Sequence, residues 1–349
     1  MLGAVLACAS AWAQQADSAA PKGNQLRLTV TVDGRNGPVG DLTEADFKVL
    51  DNKKLQPITS FRALNGDDVP TEMILVIDAV NVPYSRLSYA RQQIDQFLSA
   101  NGGKLPQPTA IAIVMDTNSQ VMPGFSKDGN TLKRTLDNYS IGLRNITRSA
   151  GFYGASERFN ISVSALRMLV SREMQKPGLK RIVWISPGWP LLSGPDVNLT
   201  SRQRQTIFAN TVALSTQMRQ AHITLDAVNP LGTESDVGRL VYYENFVKGV
   251  RSPNEAQIGD LALEVIAEQS GGLVLNASND IAGLLTRSFA QTKAFYEIGF
   301  EAAPGEHVNE YHQVQVQVAK PGLVAHTTEG YYAQPTFTGA ARDVNPTHF

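Results

Sequence analysis

The stretch Met73-Ile74-Leu75-Val76-Ile77-Asp78 sets five apolar residues in a row before a single carboxylate. An apolar run of this length without alternation is typical of a parallel strand that is buried on both faces of its sheet. A helical pattern follows at 85–100, where one face collects Leu87, Ala90, Ile94, Phe97 and Leu98. The pattern places Asp78 at the carboxyl end of the strand, which is where open α/β sheets bind their ligands.

Strands and helices continue to alternate over 70–295, which predicts a largely parallel sheet and an α/β fold with a Rossmann-like domain. Further buried strands are predicted at 109–115, 181–185, 223–228 and 273–275. Helices are predicted at 131–139, 159–173, 201–220 and 257–269, and a last one begins at 281. We expect any binding site to lie where the carboxyl ends of the strands meet.

Two shorter β regions flank this domain. A small β module is predicted at 24–65, which opens with an alternation of apolar and polar residues. C-terminal β strands are predicted at 296–335, where Val314, Val316 and Val318 alternate with glutamines. A module of about forty residues holds little core alone. We therefore expect the two ends of the chain to pair as one β unit. Residues 336–349 are predicted to be a loose tail.

The N-terminal residues 1–13 are apolar and end in Ala11-Trp12-Ala13, an A-x-A cleavage pattern. This pattern predicts a secretory signal peptide, with a possibly truncated start because no basic residue precedes Lys22. The prediction is a secreted or periplasmic protein whose mature chain has no transmembrane helix. The alternative is a lipid anchor on Cys8, the single cysteine. Cleavage after Ala13 would leave no disulfide and no thiolate ligand.

The composition excludes several classes of function. Hydrophobic residues make up 42% of the 349 residues and charged residues 18%, which is a globular composition. The formal net charge is −1, from 31 basic and 32 acidic residues. This balance argues against binding to nucleic acid or to anionic membranes. The five histidines lack metal-ligand spacing, and His307 and His312 are predicted to lie at the surface.

Four separated segments resemble one family. They are 37–52 (GPVGDLTEADFKVLDN), 58–61 (ITSF), 181–190 (RIVWISPGWP) and 321–333 (PGLVAHTTEGYYA). Together the segments resemble the secreted von Willebrand factor A-related proteins described from Acidobacteria. The resemblance implies a von Willebrand factor A domain between a small N-terminal β module and C-terminal β strands. It implies no particular activity, because most members of that family have no assigned activity.

The resemblance also implies a place for a divalent cation at the sheet edge. In von Willebrand factor A domains the motif is Asp-x-Ser-x-Ser, with a Thr and an Asp from two later loops, and oxygen ligands of this kind suit Mg²⁺. Asp78 matches the first Asp, but Val80 and Val82 occupy the two Ser positions. Asn81 and Ser85 are polar neighbours at a different spacing.

The later ligand positions are also changed. Thr147, Ser149 or Ser156 could supply the second-loop Thr, and Ser186 replaces the third-loop Asp. The prediction is a degenerate site that holds no cofactor tightly, and a Mg²⁺ ion bound through Asp78 is the alternative. A second interpretation of Asp78 is a carboxylate that ties the loop by accepting backbone N–H bonds.

The candidate ligand-binding residues at this edge are Asp78, Asn81, Ser85, Thr147, Ser186 and Trp189. Trp184 is predicted to be in the core, whereas Trp189 either lies in an exposed contact patch or covers the sheet end. Ser186 ends a strand as a hydrolase nucleophile would, but Pro187 removes an N–H that an oxyanion hole uses, and no Gly-x-Ser-x-Gly occurs. The favoured function is extracytoplasmic binding of a protein or other ligand without catalysis. A metal-dependent adhesion domain and a secreted hydrolase are the alternatives.

Overall fold

A computed structural model describes residues 25–65, 68, 71–116, 119–121, 124–139, 151–190, 198–232, 242–276 and 278–335. The predicted signal peptide with Cys8, the predicted tail and Thr147 lie outside these residues. Among the described residues, none of the helices combines the length and the apolar character that crossing a membrane requires.

The strands are β1 Gln25–Gly34, β2 Gly37–Pro38, β3 Phe47–Asp51, β4 Lys54–Gln56, β5 Ile58–Asn65, β6 Glu72–Asp78, β7 Lys104–Val114, β8 Ser119–Val121, β9 Ser126–Asp128, β10 Lys180–Ile185, β11 Ile223–Val228, β12 Val274–Leu275, β13 Ala294–Glu301, β14 Glu310–Val318, β15 Val324–His326 and β16 Gly330–Ala333. The α-helices are α1 Tyr84–Ser99, α2 Gly129–Tyr139, α3 Gly151–Glu173, α4 Ser201–Gln220, α5 Leu263–Gln269 and α6 Ile281–Ala290.

The central sheet has the strand order β12-β11-β10-β6-β7-β8, and β9 also pairs with β7. Strand β6 lies between β10 and β7 and is parallel to both. Alternate residues of β6 enter two separate cores, with Leu75 in one and Val76 in the other. Burial on both faces explains the continuous apolar run. The predicted α/β class is confirmed, with helices packed on both faces of a mainly parallel sheet.

The two ends of the chain form one β unit, as expected. Strand β1 pairs with β13, which also pairs with β5, and β3 pairs with β14. The two resulting sheets have the orders β15-β1-β13-β5 and β16-β14-β3-β4. Their shared core contains residues from both ends, including Leu28, Val30, Phe300 and Val316. Neither end alone has enough apolar surface to form such a core.

Two sequence predictions of helices require correction. Helix α3 begins at Gly151 rather than at 159, a start that the sequence obscures because its first turns contain two glycines and have no apolar period. The predicted helix 257–269 is divided into a 3₁₀ turn, Ile258–Leu261, and α5. Ala262 between them is extended, with φ −67° and ψ 147°, so the apolar pattern continues while the helix does not.

The prediction of a surface position for His312 is wrong. His312 is buried beside Tyr331 of the paired strand β16, and its Nδ1 lies 3.0 Å from Oδ1 of Asp51. The hydroxyl of Tyr331 donates to Oδ2 of the same carboxylate at 2.7 Å. This polar cluster joins β3, β14 and β16, and therefore links the N-terminal and C-terminal parts of the β unit.

Candidate functional site

Asp78 ends β6 at the carboxyl edge of the sheet, and its side chain is fully buried. Its Oδ1 accepts hydrogen bonds from the backbone N–H groups of Val80, at 3.1 Å, and Asn81, at 3.0 Å. Its Oδ2 accepts from Nδ2 of Asn81 at 2.8 Å and from Nε1 of Trp184 at 3.1 Å. Each carboxylate oxygen thus receives two N–H donors from the protein itself.

The alternation of neighbouring strands explains the contact with Trp184. Val76 lies opposite Trp184 across β6 and β10. Asp78 is two residues beyond Val76 and therefore points to the same face of the sheet. This face of the sheet borders the hydrophobic core that contains Val76 and Trp184. The indole N–H is a donor without acceptor capacity, so a buried tryptophan here requires an acceptor such as the carboxylate.

Asn81 joins the loop after β6 to helix α3. The same Nδ2 that donates to Asp78 also donates to Oγ of Ser162 at 2.8 Å. The Ser162 hydroxyl in turn donates to the backbone carbonyl of Arg158 at 2.9 Å. Ser162 is fully buried and was missed in the sequence. The available signal was a small hydroxyl residue beside apolar Val163 in a helix that packs on the sheet.

Val80 and Val82 occupy the positions where the resembled motif has its two Ser ligands. Both side chains are buried, and they enter opposite cores of the sheet. Their methyl groups therefore anchor the loop by packing. The loop has two apolar contacts at the positions where the resembled motif has two hydroxyl ligands.

Ser186 follows β10, and the pairing of Ile77 with Ile185 brings Ser186 and Asp78 to the ends of adjacent strands. The Ser186 side chain is buried, and its Oγ accepts a hydrogen bond from the N–H of Gly188 at 3.2 Å. Gly188 has φ +92°, a left-handed conformation that favours glycine. The hydroxyl therefore stabilises the turn that carries the chain towards Trp189.

Trp189 is fully buried, so the prediction of an exposed contact patch is wrong for this residue. Its ring packs edge-on against Trp184 with centroids 5.3 Å apart, and against Phe159 with centroids 6.5 Å apart. The three rings cover the end of the sheet beside Asp78. The alternative interpretation, in which Trp189 covers the sheet end, is the one that agrees with this packing.

The remaining predicted site residues are not brought into this cluster by any described contact. Ser85 lies in the first turn of α1, and its side chain is outside the described part of the structure. Thr147 belongs to 140–150, which is also outside it. Over the residues that the structure describes, no group of three or more His, Cys, Asp or Glu side chains could hold a metal ion.

The donors around Asp78 do not fit a bound cation. A hard cation such as Mg²⁺ requires converging oxygen atoms with available lone pairs. The four groups that surround the Asp78 carboxylate direct hydrogens towards it. An ion at this carboxylate would have to displace the Asn81 amide or the Trp184 indole from a buried hydrogen bond.

No family model matches the sequence, and no curated protein matches it either. Distant similarity is found to a number of solved structures, among them the following three. The human COPII-coat protein Sec24c is 10% identical, with a TM-score of 0.35, over 79% of this chain and 46% of its own. The manganese-loaded TRAP protein of Plasmodium vivax is 9% identical, with a TM-score of 0.35, over 80% of this chain and 98% of its own.

The third is the pilus adhesin SpaC from Lactobacillus rhamnosus GG, which is 6% identical with a TM-score of 0.35. That similarity covers 86% of this chain and 49% of the adhesin. The chain thus spans about half the length of Sec24c and of SpaC. Similarity at this level carries no information about the ligands of this chain.

Proposed function

We propose that this chain is an extracytoplasmic binding module that recognises a protein partner without catalysis and without a cation at the sheet edge. The observation that carries the proposal is the Asp78 carboxylate, whose two oxygens are both occupied by internal N–H donors. We assign the von Willebrand factor A type to the central domain from the sequence segments that resemble that family. The signal-like residues 1–13 support export of the chain.

A cation at Asp78 would leave internal hydrogen-bond donors unpaired. Displacing both side chains from Asp78 would leave the buried Trp184 indole N–H and one N–H of the part-buried Asn81 amide without this acceptor. Each such group costs about 1–3 kcal/mol. In addition, Val80 and Val82 supply no oxygen that could share the ion. Mg²⁺ also gives up its water reluctantly, and a single crowded carboxylate offers little in exchange.

The hydrolase alternative has little support at Ser186. The hydroxyl oxygen is buried and accepts the N–H of Gly188. A serine nucleophile needs a neighbouring base that removes its proton. Within the described residues, no histidine is hydrogen-bonded to Ser186. The geometry therefore favours a structural turn over a nucleophile.

The metal question is tested by calorimetric titration of the full chain with Mg²⁺, Mn²⁺ and Ca²⁺. We expect no binding tighter than about 1 mM, since converging oxygens are absent. The test variant is Asp78→Ala, which removes the carboxylate. The control variant is Asp41→Asn, which neutralises an exposed carboxylate outside the Asp78 loop. Micromolar binding that is lost in Asp78→Ala and kept in Asp41→Asn would establish the metal-dependent alternative.

The hydrolase alternative is tested with a fluorophosphonate probe that labels activated serines. We expect no labelling of the folded chain. Labelling that disappears in Ser186→Ala would replace the proposed function with a hydrolase. Unchanged background signal in both proteins would support the binding module.

A further inference from the structure

A buried histidine lies where three strands of the β unit meet. His312 of β14 packs beside Tyr331 of β16 and Asp51 of β3, and all three side chains are buried. Glu310 comes two residues before His312 on β14, so its side chain points to the same face of the strand. One imidazole ring is thus placed between two carboxyl groups, and the contacts of its two nitrogens define its state of protonation.

The contacts of Nδ1 of His312 require a hydrogen on this nitrogen. Nδ1 lies 3.0 Å from Oδ1 of Asp51 and 3.1 Å from the hydroxyl oxygen of Tyr331. The hydroxyl hydrogen of Tyr331 points to its nearest acceptor, Oδ2 of Asp51, at 2.7 Å. Imidazole is a stronger base than a carboxylate, so a proton shared by His312 and Asp51 resides on the ring. A lone pair on Nδ1 would face oxygen lone pairs on both sides, whereas an N–H group makes both contacts favourable.

The Nε2 atom of His312 faces a second carboxylate. Oε1 of Glu310 lies 3.6 Å away, and among the described residues Nε2 has no hydrogen-bond partner. The other oxygen of Glu310 accepts the backbone N–H groups of Glu306 and of His307, whose own side chain is exposed. The bond from Glu306 lowers the pKa of Glu310, so this carboxylate is ionised near neutral pH. A lone pair on Nε2 would be directed at a negative charge, whereas a hydrogen on Nε2 turns this repulsion into an attraction.

The charges around the ring balance when the ring itself is charged. Asp51 and Glu310 contribute two negative charges. Arg219 of helix α4, an electrostatic neighbour of Tyr331, contributes one positive charge. Burial raises the pKa of Tyr331, and its hydrogen bond to Asp51 raises it further, so the phenol stays neutral. A neutral His312 would leave one negative charge of this cluster uncompensated, which is unfavourable away from water.

We propose that His312 is a buried imidazolium, and that it acts as a pH-dependent clasp between the two ends of the chain. With both ring hydrogens, His312 attracts Asp51 of the N-terminal part and Glu310 of the C-terminal part. After loss of one hydrogen, one of the two attractions becomes a repulsion. The clasp is a property of the β unit, and it goes beyond the proposed binding function without resting on it.

The direction of the pH dependence follows from the two carboxylates. Both attractions exist only in the folded chain and only with the charged ring. They therefore stabilise the fold at low pH, where the ring is charged, and are lost as the pH rises and the ring gives up its proton. His222 and His326 act in the opposite direction, because burial lowers the pKa of each. The contribution of His312 is therefore measured as a difference between the chain and a variant that lacks this ring.

NMR of the ring nitrogens reads the protonation state directly. Histidine-selective ¹⁵N labelling of the full chain gives signals from the five histidines, and His312→Gln identifies those of His312. We expect both ring nitrogens of His312 to carry hydrogen at pH 7, where an unperturbed histidine is mainly neutral. We also expect one hydrogen to be lost as the pH rises further. A ring nitrogen of His312 without hydrogen at pH 7 would overturn the proposal.

The variant Glu310→Gln tests the clasp without changing the ring. It keeps the size of the side chain and removes the charge that faces Nε2, so the ring of His312 should lose its proton at a pH about one unit lower. The matched control is Glu306→Gln, an exposed carboxylate in the same turn, which should leave the titration of His312 unchanged. An equal response of His312 to the two substitutions would show that Glu310 does not hold the ring.

Urea unfolding between pH 6 and pH 9 measures the effect of the clasp on stability. We expect the unfolding midpoint of the chain to fall with rising pH relative to that of His312→Gln. The control His307→Gln, at an exposed position, should keep this fall. A midpoint difference between the chain and His312→Gln that does not change with pH would refute the clasp. Failure of the proposed function appears separately, as metal binding at Asp78 or probe labelling at Ser186.

Discussion

Replacement of Asp78 by asparagine tests whether the carboxylate is held by internal donors. The substitution keeps the shape of the side chain but leaves one acceptor oxygen in place of two. At least two of the four N–H groups, from Val80, Asn81 and Trp184, then lose their acceptor. Unpaired buried donors cost about 1–3 kcal/mol each. Removal of a buried charge offsets part of this cost.

The expected net loss of unfolding free energy is about 3 kcal/mol, from two unpaired donors less the relieved desolvation. For a domain of roughly 150–250 residues this corresponds to a fall in Tm of about 6–12 °C. Urea unfolding followed by tryptophan fluorescence measures the change, and Asp41→Asn is the exposed control. A vacant cation site would behave in the opposite way, since neutralising an unsatisfied carboxylate stabilises the protein. A loss below about 1 kcal/mol, or a gain, refutes the reasoning.

Three further predictions concern stability and are measured by the same urea unfolding. Arg181→Ala removes the two hydrogen bonds that the guanidinium donates at 2.7 Å to the buried Asp226 carboxylate, which keeps the neutral donors Leu273 N–H and Ser288 hydroxyl, so a loss of about 3–5 kcal/mol is expected. Arg62→Ala at an exposed ion pair is expected to change stability by less than about 1 kcal/mol. Gly188→Ala, at φ +92°, is expected to cost about 1 kcal/mol or more, and no loss would contradict the left-handed turn. Burial raises the pKa of Asp260 to about 6, so the stability that this carboxyl contributes is present below its unfolded pKa and is lost as the pH rises through 6. The free energy of unfolding of Asp260→Asn, relative to the unsubstituted chain, should therefore be about 2 kcal/mol more favourable at pH 8 than at pH 4. An equal effect of the substitution at the two pH values would contradict this prediction.

The fold could be predicted where the signals are local. The apolar run before Asp78 identifies a strand buried on both faces, because burial on both faces requires apolar residues at every position. Pairing of the two chain ends was predicted from the small size of each β region. The first two turns of helix α3 and the break at Ala262 were missed, since apolar periodicity neither begins with α3 nor stops at the break.

Only the position of the site could be predicted from the sequence, and its internal contacts could not. Asp78 was placed at the sheet edge, but its partner Trp184 is 106 residues away and depends on the register between β6 and β10. The burial of Trp189 depends in the same way on packing against Trp184 and Phe159. His312 was misplaced at the surface because its partner Asp51 is 261 residues away in the sequence. Such contacts arise from tertiary packing, which no short pattern encodes.

The indole N–H of Trp184 reports most directly on the central claim, that internal donors occupy Asp78. The chain has three tryptophans, so an ¹⁵N correlation spectrum contains three indole signals, and Trp184→Phe assigns one of them. We predict that this signal exchanges slowly with solvent, keeps its intensity in 1 mM Mn²⁺ and loses its protection in Asp78→Ala. Selective loss of the Trp184 signal on adding Mn²⁺ would place the paramagnetic ion at Asp78 and contradict the account.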